Sequence, residues 1–232
     1  MIETQGKLYI VSTPIGNLGD MTYRAVETLQ NVPMIAAEDT RHSRKLLSHY
    51  GISTPLISYF EHNRFTRIPK IIDHLNSGKD LAVITDAGTP GISDPAYKLV
   101  REALLHDITV ESIPGASASL AALVSSGLPT DRFLFEGFLP PKKGRKARIA
   151  RVENEQSTLI YYESPKRLQR TLKQLLEGLG NRPAVVAREL TKLYEEIKRG
   201  TLSELLTYFT THPPKGECVI LVGKDDPNVY FK

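Results

Sequence analysis

The amino-acid sequence predicts an α/β fold with two α/β domains. In the first half, short β-rich runs alternate with segments whose apolar residues recur about every 3.6 positions, which is typical of a mostly parallel sheet with helical crossovers. Near residues 114–129 this pattern gives way to a small-residue helix and a Gly-Leu-Pro break, after which a second series of strands begins. We therefore predict an N-terminal domain at residues 1–116 and a C-terminal domain at residues 117–232.

The first domain is predicted to contain five buried strands, each followed by a segment of different pattern. They lie at residues 8–12, 34–37, 56–60, 81–85 and 109–113. Thr40 is expected to cap a helix that ends before Gly51. Pro95 is expected to occupy the first position of the helix that continues through Ala96, since its missing N–H costs nothing there.

The second domain is predicted to open with a helix at residues 117–126. Its strands are predicted at residues 133–135, 158–162, 184–188, 192–198 and 218–222. Helices are predicted at residues 167–176 and 203–210. Because the last strands are not each separated by a helix, some neighbours must run antiparallel, and the sheet is predicted to be mixed.

Composition and charge exclude several classes of protein. Cys218 is the only cysteine among 232 residues, so an intramolecular disulfide is impossible and a cysteine-based metal site is not expected. The six histidines are scattered and no H-E-x-x-H motif occurs, so no metal site is predicted. Neither a signal peptide nor an apolar run of about 18 residues is present, which predicts a cytoplasmic protein without a membrane partner.

Three loops of the first domain are rich in glycine, proline and polar residues. They lie at residues 13–20, 86–95 and 114–118, each after a predicted strand. Ligands of parallel α/β sheets bind at the carboxyl ends of the strands, so these loops predict a ligand site. No G-x-G-x-x-G follows a strand, no P-loop motif occurs, and Ser117 lacks a G-x-S-x-G elbow. The residues alone therefore leave the cofactor of this α/β enzyme open.

Seven segments taken together resemble one known family. They are STPIGNLGDMT at residues 12–22, EDTR at 38–41, TDAGTPGISDP at 85–95, SGLP at 126–129, FEGFLP at 135–140, YESPKR at 162–167 and RELTK at 188–192. In this order, over nearly the whole chain, they resemble the ribosomal RNA small subunit methyltransferase I family, which belongs to the tetrapyrrole methylase superfamily.

The resemblance implies two α/β domains of the tetrapyrrole methylase type, with S-adenosylmethionine in the cleft between them, usually in a homodimer. It implies 2′-O-methylation of a cytidine in the decoding region of small-subunit (16S) ribosomal RNA, either as free RNA or in the assembled 30S particle. The family's cofactor loops correspond to residues 86–93 and 114–118. The cofactor-binding residues that it implies are Pro14, Asp86, Ala87, Gly88, Thr89, Ile92, Ser93, Pro114, Gly115, Ala116, Ser117 and Ala118.

A ribose hydroxyl is poorly acidic, so its methylation calls for in-line positioning and for a base that removes the proton. Asp86 is the first candidate, because it ends a strand and enters the glycine-rich loop. Glu38 and His62 follow as candidate catalytic residues, with Asp39 and Glu163 as further acidic candidates. Glu38 and Asp39 could instead cap the helix that follows them.

A run of cations without any acidic residue predicts contact with RNA. The run, at residues 142–151, comprises Lys142, Lys143, Arg145, Lys146, Arg148 and Arg151. Cations bind backbone phosphates, whereas no aromatic residue is interleaved, so the run predicts electrostatic docking rather than base stacking. The alternative is a solvated face. Arg41 and Arg188 are further candidate phosphate ligands, although Arg188 could equally pair with Glu189.

Two rival functions remain open at this level. The same fold could methylate a tetrapyrrole intermediate, or the chain could be a non-enzymatic RNA-binding protein. Six neighbouring cations suit an extended polyanion better than a small macrocycle. The intact glycine-rich loop favours an enzyme over a pure RNA-binding protein.

Overall fold

The computed structural model of the protein describes residues 5–231, so residues 1–4 and 232, at the ends of the two predicted domains, lie outside the described residues. The chain divides into two compact units, the first running through Ser117 and the second beginning at Ala118. Each unit is built around its own five-stranded sheet. No helix within the described residues is both long and apolar enough to cross a membrane.

The first unit is a parallel sheet, as predicted. Its strands lie in the order β3-β2-β4-β1-β5, and every neighbouring pair is parallel. Along the chain the elements are β1 (Leu8–Val11), α1 (Tyr23–Asn31), β2 (Ile35–Ala37), α2 (Thr40–His49), β3 (Leu56–Ser58), α3 (Arg64–Asn76), β4 (Leu81–Ile84), α4 (Ala96–Leu105) and β5 (Val110–Ile113). The register aligns Leu8 with both Leu81 and Val110.

Helices cover both faces of this sheet. Leu29 of α1 packs with Val11 in one apolar cluster, whereas Leu99 of α4 packs with Val83 in another. The adjacent strands β1 and β4 therefore lead the chain to opposite faces, and the loops that follow them diverge. A ligand crevice forms at such a point in a parallel sheet.

Three local predictions for this unit need correction. β3 is half-buried and ends at Ser58, because it is an edge strand with β2 as its one neighbour. The cap of α2 is Asp39, whose carboxylate accepts hydrogen bonds from two backbone N–H groups, so that Thr40 is already helical. Pro95 precedes the first helical residue of α4 instead of occupying that position.

The second unit has a mixed sheet, as predicted, with strand order β6-β7-β10-β8-β9. Only β6 and β7 are parallel; the other neighbours are antiparallel. Its elements are α5 (Ala118–Ser126), β6 (Phe133–Phe138), α6 (Arg145–Ala150), β7 (Thr158–Glu163), α7 (Leu168–Leu179), β8 (Pro183–Arg188), β9 (Glu196–Thr201), α8 (Leu202–Thr211) and β10 (Cys218–Val222).

The strand predicted at residues 192–198 begins later, at Glu196. The preceding residues form a tight turn in which Glu189 and Thr191 have left-handed backbone angles, with φ of 50° and 67°. Lys192 bridges the carboxylates of Glu189 and Glu217, at 2.9 Å each, and this holds the turn closed. The prediction followed the apolar residues of the turn and missed this backbone reversal.

Candidate active site

The loops after β1, β4 and β5 leave the same edge of the first sheet, because these strands are parallel neighbours. The first two loops are joined by a pair of backbone hydrogen bonds. Thr13 N donates to Gly88 O at 2.9 Å, and Gly88 N donates to Thr13 O at 3.0 Å. The Thr13 hydroxyl also donates to Thr85 O at 3.2 Å. The two loops therefore form one braced edge.

A chain of hydroxyl groups ties the third loop to the other two. The Thr89 hydroxyl donates to Ala116 O at 3.2 Å and lies 3.0 Å from the Ser12 hydroxyl. Since the Thr89 proton points to Ala116, the Ser12 hydroxyl is the donor of the second bond. The backbone just before the first and third loops is also joined, since Ser12 N donates to Ile113 O at 3.1 Å.

Two glycines permit this close packing. Gly88 has φ +83°, and a Cβ there would lie 3.4 Å from Ile15 Cγ2 and 3.6 Å from Ala116 O. A Cβ at Gly115 would lie 2.9 Å from Ser12 Cβ. Any side chain at either position would strain the backbone or force the loops apart.

The loop after β4 is held in shape by a carboxylate that the sequence had not singled out. Asp94 accepts hydrogen bonds from Gly91 N, at 2.8 and 2.9 Å, and from Ala96 N at 2.8 Å. Burial raises the pKa of Asp94, although these N–H groups oppose the shift. The neighbouring Ser93 has φ 73°, a strained conformation for a residue with a side chain.

The predicted carboxylates Glu38 and Asp86 are brought together at the ends of β2 and β4. The Thr85 hydroxyl donates to Glu38 Oε2 at 2.7 Å, and Asp39 N donates to Asp86 Oδ1 at 3.1 Å. Burial raises the pKa of Asp86, the Asp39 N–H opposes that shift, and the negative charge of Glu38 adds to it. Asp39 itself serves as the N-cap of α2, which is the alternative to a catalytic role that the sequence analysis left open for it.

Charge distinguishes these loops from a phosphate site. Residues 13–20, 86–95 and 114–118 contain no lysine or arginine, but they do contain three aspartates. A phosphate-bearing cofactor would be repelled by such loops. A cofactor that carries positive charge and no phosphate is compatible with them.

The predicted cofactor residues all belong to the first unit except Ala118, which begins α5. Pro14 and Gly88 are buried, and Asp86, Thr89, Ala116 and Ser117 are half-buried. The remaining ones are exposed at the loop surfaces: Ala87, Ile92, Ser93, Pro114 and Gly115. Backbone and small side chains thus dominate what these loops present.

Two further predicted residues are exposed. His62 is exposed, and its ring meets the edge of Phe60 at a centroid distance of 6.2 Å. Arg41 is 89% exposed and pairs with Asp39 at 3.3 Å. The histidine whose charge acts on Asp86 is His42, in the first turn of α2. In the sequence, the position of His42 in the first helical turn after Asp39 was the one signal that it lies near Asp86.

The basic run divides into two arginines with structural partners and residues that are exposed. The Arg145 side chain is 2% exposed and reaches Gln174 Oε1 at 2.7 Å, Thr171 Oγ1 at 2.5 Å and Pro140 O at 3.0 Å. Arg148 donates to the Glu136 carboxylate at 2.7 Å and to its carbonyl at 2.6 Å. The prediction that Arg145 binds RNA is therefore corrected, because its side chain is buried. Arg148 also fastens α6 to the sheet, but its side chain is 41% exposed, and its contact with RNA stays a prediction. Lys142, Lys143, Lys146 and Arg151 remain exposed.

Glu163 is also structural, and its assignment as a candidate base is corrected. Its side chain is fully buried and is bound by Thr171 Oγ1 at 2.6 Å, Arg167 at 2.6 Å and Ser164 N at 2.8 Å. Arg145 lies 3.6 Å away. All of its oxygens are thus engaged in holding α6 and α7 to the end of β7. Arg188 likewise pairs with Glu196, at 2.6 Å, and not with Glu189.

Arg145→Met is expected to lower the free energy of unfolding by about 3 kcal/mol, because removing one member of a buried polar cluster leaves its partners unsatisfied. Chemical denaturation of this variant and its control measures the effect. The matched control is Lys146→Met on the same helix, which should change stability by less than about 0.5 kcal/mol because its side chain is exposed. Equal stabilities of the two variants would contradict the structural role of Arg145.

Within the described residues, no group of three or more His, Cys, Asp or Glu side chains is arranged to hold a metal ion.

Solved structures with a similar fold include two methyltransferases and a diphthine synthase. The uroporphyrin-III-C-methyltransferase of Thermus thermophilus superposes with a TM-score of 0.68 at 18% identity, covering 95% of each chain. A cobalt precorrin-4 methyltransferase superposes with a TM-score of 0.66 at 18% identity, covering 94% of each chain. A diphthine synthase gives 0.71 at 12% identity, covering 93% of this chain and 89% of the other. At such identities the likeness defines the fold alone.

Sequence comparison identifies the family. A family model described as Tetrapyrrole (Corrin/Porphyrin) Methylases matches residues 7–206. The ribosomal RNA small subunit methyltransferase I of Synechocystis sp. is 54% identical over 221 residues, covering 94% of this chain and 79% of the relative. The protein of the same name from Streptococcus pyogenes serotype M1 is 50% identical over 222 residues, covering 95% and 77%.

The fold and the family model define a methyltransferase of the tetrapyrrole methylase class, whose methyl donor is S-adenosylmethionine. Within this class the chain belongs to the ribosomal RNA small subunit methyltransferase I family. The cationic, phosphate-free cofactor fits the loops described above, which lack basic residues and contain three aspartates.

Proposed function

We propose that this protein catalyses the S-adenosylmethionine-dependent 2′-O-methylation of a cytidine ribose in the decoding region of small-subunit ribosomal RNA. The observation that carries the proposal is the 54% identity, over 94% of the chain, to a relative named as a methyltransferase of that RNA. The carboxylate pair Glu38–Asp86 and the exposed lysines of α6 and its preceding loop add independent support.

The three loops of the first unit are the proposed cofactor site. When bound, S-adenosylmethionine supplies a methyl group already activated by its sulfonium. The backbone at Gly88 and Gly115 would lie against the cofactor, and the Ser12 and Thr89 hydroxyls would keep the loops in position. The negative charges of Asp86 and Glu38 suit a cation, because opposite charges attract strongly where water is scarce.

Asp86 is the proposed general base. Its carboxylate is half-buried, and one oxygen accepts a single hydrogen bond from Asp39 N, at 3.1 Å. A raised pKa makes the carboxylate a stronger base toward the ribose 2′-hydroxyl than an ordinary aspartate. Glu38, held by the Thr85 hydroxyl, keeps negative charge beside Asp86 and supports that shift.

The proposed RNA surface consists of Lys142, Lys143 and Lys146, which we call the lysine patch. These side chains are exposed, and no carboxylate among the described residues pairs with any of them within 4.0 Å. Unpaired surface cations next to one another attract a polyanion. Since Arg145 and Arg148 anchor α6, Lys146 is carried by a fixed helix, and Lys142 and Lys143 lie in the loop directly before it.

Replacing all three lysines of the patch with alanine is expected to weaken RNA binding and to flatten its salt dependence. For every lysine that binds a phosphate, its removal should reduce the slope of log affinity against log salt by about 0.7 to 0.9. Salt titrations of a small-subunit RNA fragment against wild type and the triple variant measure this change. Affinity for S-adenosylmethionine, measured by calorimetry, should stay at the wild-type level.

The matched control removes three exposed lysines of the first unit, Lys70, Lys79 and Lys98, and so changes the net charge equally. We expect it to leave the salt slope close to that of wild type. If both triple variants lose affinity and slope alike, the effect reflects net charge alone. If neither changes, the lysine patch is only a solvated face.

The substrate, free RNA or an assembled 30S particle, is decided by comparing methyl transfer to each. Such a substrate places the reaction in the cytoplasm.

A homodimer is the proposed assembly, implied by the family resemblance and measurable by light scattering. Transfer of methyl to a tetrapyrrole, with none to either RNA substrate, would overturn the proposed function in favour of the tetrapyrrole alternative.

A further inference from the structure

Two aromatic rings lie side by side at the ends of β6 and β7, outside everything assigned so far. Phe138 and Tyr162 are register partners of this parallel strand pair. Their ring centroids are 5.6 Å apart, with the planes inclined at 65°. Neither ring is required by the cofactor site or the carboxylate pair, which belong to the first unit.

A β-bulge produces this arrangement. The register shifts between Phe135 and Gly137, so that Glu136 is an extra residue on β6, and Gly137 has φ +62°. An extra residue reverses the alternation of side chains. Phe135 and Phe138 therefore face the same way, and both rings meet Tyr162, at 5.0 and 5.6 Å. Arg148 binds both the carboxylate and the carbonyl of Glu136 and so fixes the bulge.

Phe138 is an exposed ring on a rigid support. Tyr162 beneath it is held by Phe135 and by its hydroxyl, which accepts a hydrogen bond from Ser119 N at 3.2 Å. Phe138 itself is 49% exposed. An exposed aromatic ring on a fixed strand end presents a face on which a flat, aromatic partner can stack. Because the ring is already positioned, its partner loses little affinity to ordering it.

Three lysines follow this ring pair closely in the sequence. Lys142 and Lys143 follow Phe138 by four and five residues, and Lys166 follows Tyr162 by four. All three are exposed, and none has a carboxylate partner within 4.0 Å in the part of the chain that the structure describes. An exposed aromatic face flanked by unpaired cations is the composition that binds single-stranded nucleic acid.

We propose that Phe138 stacks against an unpaired base of the RNA substrate, while Lys142, Lys143 and Lys166 bind the phosphates on either side of it. This inference rests on the proposed function and names the form of RNA recognised: a single-stranded or looped segment. Bases within a duplex are stacked on one another and cannot reach the ring, whereas unpaired bases stack on aromatic side chains.

The test compares Phe138→Ala with Phe133→Ala. Phe133 lies at the opposite end of the same strand and is 45% exposed, so it is matched in type, strand and exposure. The probes are a single-stranded RNA oligonucleotide containing 2-aminopurine and a fully paired duplex of the same length. Phe138→Ala should weaken single-strand binding by about 5- to 150-fold, and it should abolish quenching of the 2-aminopurine fluorescence. Duplex affinity should stay unchanged.

Two further readouts separate stacking from charge and from folding. Phe138→Ala should leave the salt slope of RNA binding intact, because the ring makes no phosphate contact, whereas Lys166→Ala should flatten it. Phe138→Trp should restore binding and quenching, since a larger ring stacks at least as well. Unfolding midpoints of the alanine and tryptophan variants confirm that each is folded.

Equal single-strand affinities for Phe138→Ala and Phe133→Ala would overturn the inference and leave the proposed function standing. A change of oligomeric mass in Phe138→Ala, without a change in quenching, would assign the ring to an interface between copies and would also overturn it. Failure of the wild-type protein to bind or methylate any small-subunit RNA would overturn the proposed function as well.

Discussion

Asp86→Asn is expected to slow methyl transfer by about 100- to 10,000-fold, the usual consequence of losing a general base. The substitution is isosteric, and the amide oxygen can still accept the hydrogen bond from Asp39 N, so that only the charge and basicity are removed. Affinity for S-adenosylmethionine should fall much less than the rate, because one attractive charge is lost while the loop backbone that holds the cofactor is unchanged. Single-turnover transfer to RNA, with calorimetry on the cofactor, separates the two quantities.

The same residue predicts a pH dependence. Burial raises the pKa of Asp86, and although the Asp39 N–H opposes this, the charge of Glu38 adds to it. The rate should therefore fall as the pH drops through that raised pKa, at a higher pH than an ordinary aspartate would give. The residual rate of Asp86→Asn should lack this acid limb.

The free energy of unfolding should depend on pH with the opposite sign to the rate. A carboxyl whose pKa is raised by folding stabilises the folded state while protonated, and this contribution is lost as the pH rises through the folded-state pKa. At neutral pH the charge on Asp86 therefore works against folding. Asp86→Asn should be at least as stable as wild type at pH 7, which would distinguish a functional carboxylate from a structural one.

Three variants complete the experiment on Asp86. Glu38→Gln should lower the rate less, because Glu38 acts only by raising the pKa of Asp86 and is itself bound to the Thr85 hydroxyl. His62→Gln tests the remaining candidate, which is exposed in the turn after β3. Asp73→Asn, on the surface of α3, is the control for loss of one negative charge. If Asp86→Asn, Glu38→Gln and His62→Gln all transfer methyl at the wild-type rate, positioning alone accounts for catalysis.

Gly115→Val and Gly88→Val are each expected to weaken S-adenosylmethionine binding by more than about 100-fold, or about 2.7 kcal/mol. The first valine Cβ would lie 2.9 Å from Ser12 Cβ, and Ser12 also supports the hydroxyl chain to Thr89. The second would occupy a backbone at φ +83° and press on Ile15 and Ala116. The fold should survive, because neither glycine belongs to the apolar clusters.

Gly51→Ala is the control for these variants. Its φ of +65° carries a similar backbone penalty, of about 1 kcal/mol, but no described atom lies within 4 Å of the added Cβ. It should lower stability slightly and leave calorimetric cofactor affinity unchanged. Wild-type affinity in folded Gly88→Val and Gly115→Val would contradict the placement of the cofactor against these loops.

The sequence identified the loops of this site but not every interaction within them. Strand ends and glycine density predicted the segments at residues 13–20, 86–95 and 114–118, because both signals are local. The anchoring role of Asp94 and the charge of His42 near Asp86 were missed, since these depend on where a side chain points after the loop has folded. His62 looked comparable to Glu38 in sequence, and only the tertiary structure shows that Glu38 is bound to the Thr85 hydroxyl whereas His62 is exposed.

By itself, the sequence determined the α/β class, the parallel and mixed sheets and the family. These follow from hydrophobic periodicity and from motif order, which are properties of the chain. Only the tertiary structure decided which charges in the basic run are free. Arg145 and Lys146 are neighbours of like charge, yet one is buried against Thr171 and Gln174 and the other is solvated. The physical reason is that a buried guanidinium requires partners from distant segments, and no local pattern encodes their presence.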